Sequence, residues 1–258
     1  MRISFRAPAS ALVVAGLAAT LAVGTVSAVD PSLDPAIPAT DSARCAQPAL
    51  GEGVDSVGNL DSFGACEINR RLALLQRLAG RVAASTTLTS ADETALSGEI
   101  ASATAGLAAL GSTIAGETDV VALKADIQKI ATDYRVNVLV EPETRLVIAA
   151  DRLSADYARL ATVEQRLVAA IAAATTAGKD VSQAQAAYDA MVAKVAEAEG
   201  LLGPAVGTIL LLTPAGWNAG TAKPVLESAR STLRQVRQLF AGARADARKC
   251  AQLLRTRH

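Results

Sequence analysis

The sequence predicts an all-α protein: an antiparallel bundle of about six helices, the last three long and coiled-coil-like. Three observations predict it. Beyond Cys66, apolar residues recur at alternating steps of three and four, the spacing that gathers them on one face of a helix. Small alanines alternate with larger aliphatic residues along those faces, so helices can approach closely with little aromatic filling. Capping and breaking residues such as Ser90, Pro142, Gly178 and Pro214 fall where the periodicity lapses, as expected of helix ends.

Residues 1–28 carry a basic head with Arg2 and Arg6, an apolar run from Ala11 to Val23, and the small-residue ending Val26-Ser27-Ala28. This is the anatomy of a secretory signal, with cleavage expected after Ala28. No cysteine adjoins the cut, which speaks against a lipid anchor. The expected location is secreted, extracellular or cell envelope, with no stable membrane span once the signal is removed. Residues 29–64 hold Pro31, Pro35, Pro38 and Pro48 and more acids than bases. They read as an extended or disordered acidic arm.

Residues 65–134 read as three shorter helices. The first, from about Ala65 to Ser85, has the seam Ile68, Leu72, Leu75, Ala79 and Val82. The second follows a capping box, Ser90 with Glu93, and uses Leu96, Ile100, Ala103, Leu107, Leu110 and Ile114. The third starts after Thr118 on Val120, Leu123, Ile127, Ile130 and Tyr134. At residues 135–142 the pattern changes to the β-branched, alternating run Val136-Asn137-Val138-Leu139-Val140 before Pro142. It is expected to be an extended connector, because a single such run has no strand to pair with.

Residues 143–258 read as three long heptad helices packed with the preceding ones. The fourth uses Leu146, Ala150, Leu153, Tyr157, Leu160, Leu167, Ile171 and Ala174, and Gly178 closes it. Asp180 is expected to cap the fifth, whose seam runs from Val181 through Met191, Val195 and Leu202 to Leu212. The sixth begins near Pro224 and uses Leu226, Ala229, Leu233, Val236, Phe240, Ala243, Ala247, Cys250 and Leu254. Arginines at every seventh position, Arg145, Arg152, Arg159 and Arg166 on the fourth helix and Arg230, Arg237 and Arg244 on the sixth, flank the seams, where charge sets partner choice.

Composition narrows function. Aromatic residues are 3% of the chain, too few for stacking platforms, and no nucleic-acid partner is expected. The only histidine is the terminal His258, so the commonest general bases and metal ligands are missing. No catalytic residue, cofactor or metal site is expected. The acid pairs Glu141 with Glu143 and Glu197 with Glu199 read as solvated surface charge.

Cys45, Cys66 and Cys250 allow one internal disulfide and one leftover thiol. If six helices alternate up and down, the start of the first and the end of the sixth share a pole, which makes Cys66 with Cys250 the expected pair. The alternative, Cys45 with Cys66, would tack the arm down. The stretch from Lys223 onward is basic against Glu227 and Asp246 alone, and Arg230, Arg234, Arg237, Arg244 and Arg248 are its candidate polyanion contacts. A solvated, ion-paired helix face is the plainer reading. The glycine-rich run from Gly200 to Leu212 could form a membrane-inserting head but is too short to span a bilayer. It reads better as a buried helix end kinked at Pro204, with Trp217 packed over the turn beyond.

The stretch YRVNVLVEPETRLVIAADRL, from Tyr134 to Leu153, together with the signal peptide, the alanine-rich helices and the Thr213-Pro214 turn, resembles uncharacterised secreted alanine-rich coiled-coil proteins of bacteria. The resemblance implies a helical bundle and carries no activity. The expected function is therefore that of an exported, non-enzymatic structural or interaction module. Its partner would be an unknown protein or envelope component, with self-association through a seam left open. The alternatives are a membrane-active, pore-forming-like protein and a binder of envelope polyanions.

Overall fold

A computed structural model describes Cys45 and residues 56–256. The expected signal peptide and cleavage site, most of the expected acidic arm and His258 lie outside the described residues. Those described form an all-α bundle with no strand among them. Six substantial helices occur, as expected: α1 (Val57–Ala83), α2 (Ser90–Gly116), α3 (Val120–Thr132), α4 (Glu141–Thr176), α5 (Ser182–Ile209) and α7 (Ala222–Thr256). A π-helical turn (Val136–Val140) precedes α4, and the five-residue α6 (Pro214–Asn218) precedes α7.

Local chemistry sets the boundaries. The first helix begins eight residues before the expected Ala65, because Ser56 caps it by accepting the Asn59 N–H. At α2 the cap is Thr89 rather than Ser90: its hydroxyl accepts the Asp92 N–H at 3.1 Å and donates to Asp92 Oδ2 at 2.7 Å. Asp119 caps α3 by accepting the Val121 and Ala122 N–H groups. Gly178, with φ at +73°, turns the chain out of α4 while its N–H reaches the Thr175 carbonyl, the left-handed ending that only glycine adopts without cost. Thr213 caps α6 by accepting the Gly216 N–H at 3.1 Å.

The expected extended connector is instead helical. Val136, Leu139 and Val140 are buried while Asn137 and Val138 are exposed, a spacing of three and four rather than two. Burying three aliphatic side chains at ~1.5–3 kcal/mol each outweighs the weak strand preference of valine, and an isolated strand would leave its backbone groups unpaired. Arg135 breaks the chain between α3 and this turn in a left-handed conformation, φ 44°. It is held there by its Nε donating to Asn218 Oδ1 at 2.7 Å, while Asn218 Nδ2 donates to the Thr132 carbonyl at 2.9 Å. In this way α6 clamps the end of α3.

Packing divides the helices into two groups that share α4. One comprises α1, α2 and α3; the other comprises α4, α5 and α7, with the most extensive contact between α5 and α7. Lys194 meets Asp246 at 2.5 Å and Glu197 meets Gln235 at 3.3 Å, so ascending positions on α5 face descending positions on α7. Six consecutive residues of α4, Leu146 to Asp151, are buried. A helix buried on every side there has lost its solvent face to neighbours from both groups.

Candidate functional site

Two charged features stand apart from the apolar seams. The first is basic. On α4 and α7 the arginines that recur every seventh residue lie side by side, because Arg244 of α7 donates to Asp156 Oδ2 of α4 at 2.6 Å while Arg159 of α4 reaches Asp156 Oδ1 at 3.3 Å. Two turns earlier on α7, Arg237 lies near Arg152. Burial, and then the Arg152 charge, push the Arg237 pKa down against the pull of Asp156. Among the described residues, Asp156 is the acid that bonds arginines of both rows. Arg152, Arg166, Arg230, Arg234, Arg237 and Arg248 form no ion pair among the described residues.

Of the five arginines expected to contact a polyanion, Arg230, Arg234 and Arg248 are exposed and Arg237 is half-buried. Arg244 is the exception, committed to Asp156. Sequence reading had the stripe on α4 but not its position beside that of α7. A heptad rises about 10 Å along a helix, so the paired rows present positive charge at that interval.

The second feature is acidic and was not anticipated. Glu143, expected on a solvated face, is 1% exposed, and Asp151 is 4% exposed. Both lie on α4, and each meets a carboxyl group of α2: Glu143 with Glu99, Asp151 with Asp92. Glu143 Oε2 is buried with no hydrogen-bond partner. As a bare carboxylate oxygen it would carry an uncompensated charge, which a protein interior does not tolerate. Burial, reinforced by the Glu99 charge and by hydrogen bonding to Glu99, pushes the Glu143 pKa up to about 9. Glu143 therefore keeps its proton at neutral pH and donates it to Glu99, whose own pKa is raised by burial and lowered by that hydrogen bond.

Asp151 follows the same logic. Burial raises its pKa, the Thr89 N–H donated to Oδ2 at 2.9 Å opposes, and the charge and hydrogen bond of Asp92 raise it further. The other acids expected on the surface are ordinary. Glu197 and Glu199 are exposed, and Glu141 accepts from Arg145 at 2.6 Å.

The cysteines correct the expected disulfide. Cys66 bonds Cys45, with Cα atoms 5.8 Å apart, and Cys250 is a buried free thiol. The Cys66 to Cys250 expectation assumed one up-and-down bundle. Instead α1 packs with α2, α3, the π-turn and α4, while Cys250 neighbours Tyr188 near the start of α5. The arm is thus fastened to α1, and burial pushes the Cys250 thiol pKa up, leaving it unreactive.

The glycine-rich run is the last part of α5, with Pro204 inside the helix and Leu202, Ala205 and Ile209 buried. Leu211, just beyond, is 79% exposed, and no helix among the described residues is long and apolar enough to cross a membrane. Trp217 is half-buried in α6. No group of three or more histidine, cysteine, aspartate or glutamate residues among those described could hold a metal ion. Comparison of the chain with family models, with curated proteins and with solved structures gives no match.

Proposed function

We propose that this chain is an exported, non-enzymatic interaction module that docks an anionic polymer of the cell envelope along the α4–α7 flank. The observation that carries the reading is the set of six arginines on two adjacent helices that form no ion pair among the described residues, although the charge of Asp156 acts on Arg237. Charges left unpaired on a folded surface cost little in water and gain when a polyanion replaces their counterions. A linear polymer suits rows spaced by heptads better than a compact ligand, which needs a concave pocket. Export rests on the signal-like residues 1–28.

The test is titration of the purified protein with an inorganic polyphosphate and with a neutral dextran at several salt concentrations. Affinity for polyphosphate should fall steeply with salt, and the triple variant Arg152→Gln, Arg230→Gln, Arg237→Gln should bind at least about tenfold more weakly. Equal binding by variant and parent, or no binding at low salt, refutes the proposal.

A further inference from the structure

We propose that Asp156 is a built-in counterion that holds Arg159 and Arg244 away from a bound polyanion and so restrains how tightly the α4–α7 flank binds, a role that rests on the polyanion reading of that flank. Helix direction sets the arginine rows side by side. Glu164 of α4 accepts from Tyr188 of α5 at 3.2 Å, while Tyr157, earlier on α4, bonds Glu199, later on α5, so these two helices are antiparallel. Helices α5 and α7 are antiparallel as well. It follows that α4 and α7 run the same way, and equal steps along each from the contact of Asp156 with Arg244 keep the rows level.

Asp156 stands in the middle of them. Its Oδ2 accepts from Arg244 of α7 at 2.6 Å and its Oδ1 lies 3.3 Å from Arg159 of α4, so each carboxylate oxygen is taken by an arginine of a different row. Before this contact along the two helices come Arg152, Arg230, Arg234 and Arg237, and after it come Arg166 and Arg248. The other acids of α4 and α7 are engaged elsewhere. Glu143 and Asp151 are buried, Glu141 bonds Arg145, and Glu227 lies 3.9 Å from Lys223. Glu164 and Asp246 bond Tyr188 and Lys194 of α5.

Solvent reaches the Asp156 pairs. The side chains of Asp156, Arg244 and Arg159 are 27%, 34% and 77% exposed, and ion pairs in such a position add little to stability. An arginine already bonded to a carboxylate has no condensed anion to exchange for a polymer phosphate, so it adds nothing to polyanion affinity. Removing the Asp156 charge frees two guanidinium groups at the centre of the flank and joins its two halves into one run.

Titration of the purified protein with inorganic polyphosphate over a range of salt concentrations tests this. Asp156→Asn should bind at least about threefold more tightly than the parent at low salt, and its slope of log affinity against log salt should be steeper by about one for each arginine released. Asp156→Glu, which keeps the charge, should retain the parent slope, and the triple variant Asp156→Asn, Arg159→Gln, Arg244→Gln should return to it. Asp246→Asn removes the same charge from the side of α7 that faces α5 and should leave the slope unchanged. In the parent, the arginine Nε–H resonances of Arg152 and Arg237 should move on addition of polyphosphate while those of Arg159 and Arg244 stay in place, a reading that needs no variant. An unchanged slope in Asp156→Asn, an equal gain in Asp246→Asn, or an equal shift of Arg244 overturns the role of Asp156, while binding by the parent still upholds the polyanion reading. Polyphosphate bound by Asp156→Asn alone refutes that reading for the parent and supports the restraint; binding by neither overturns both.

Discussion

Replacing Glu143 with glutamine should make the protein more stable in mildly alkaline solution and change how its stability depends on pH. The folded pKa of Glu143 stands at about 9 against an ordinary value of 4.5. Because it is raised, the folded state binds a proton that the unfolded chain has released. The associated stability is complete below about pH 4.5 and is lost as pH rises toward about 9, at about 1.4 kcal/mol per unit. Between about pH 5 and about pH 8 this one group costs the parent protein about 4 kcal/mol. Glutamine supplies the same hydrogen bond to Glu99 without a proton to lose.

Urea denaturation of parent and Glu143→Gln at intervals across that range measures the difference directly. It should swing by several kcal/mol in favour of the variant as pH rises, with the slope of free energy against urea unchanged. A difference independent of pH would refute the assignment of a buried, protonated Glu143.

Two further predictions follow from packing and cross-linking. Non-reducing peptide mapping should recover Cys45 linked to Cys66 and Cys250 alkylated only after denaturation; replacing the disulfide with two serines should cost about 3 kcal/mol, given the 21-residue separation. Phe240, fully buried on α7, should cost about 3–5 kcal/mol when replaced by alanine, read as a lower urea midpoint at constant slope.

The seams were legible where a helix buries one face. Leu96, Ile100, Ala103, Leu107, Leu110 and Ile114 of α2 are all buried, as are Leu226 to Cys250 at the expected positions of α7, because a stripe of period 3.6 is a property of the local sequence. The α1 seam was misread at two positions: Leu78 is buried and Ala79 exposed, and Leu74 is buried where Leu72 is only half-buried. There the larger side chain takes the core, which a heptad template does not weigh. At the π-turn five residues were too few to separate a strand from a helix, and burial from outside the segment decided it.

The acid pairs were illegible for a different reason. Glu143 follows Glu141 in a string that looks like any exposed helix start, and only neighbours brought up by the tertiary fold, Glu99 from more than forty residues earlier among them, seal it from water. The cysteine pairing likewise turned on which helices share an end. The sequence by itself determined that this chain is helical, where its long helices stop, and that its basic residues lie in rows. The tertiary structure alone decided that the rows of α4 and α7 adjoin, that Cys66 finds Cys45, and that four carboxyl groups meet across α2 and α4. Periodicity is fixed by bonds between near neighbours, whereas burial and charge pairing depend on which distant surface arrives opposite.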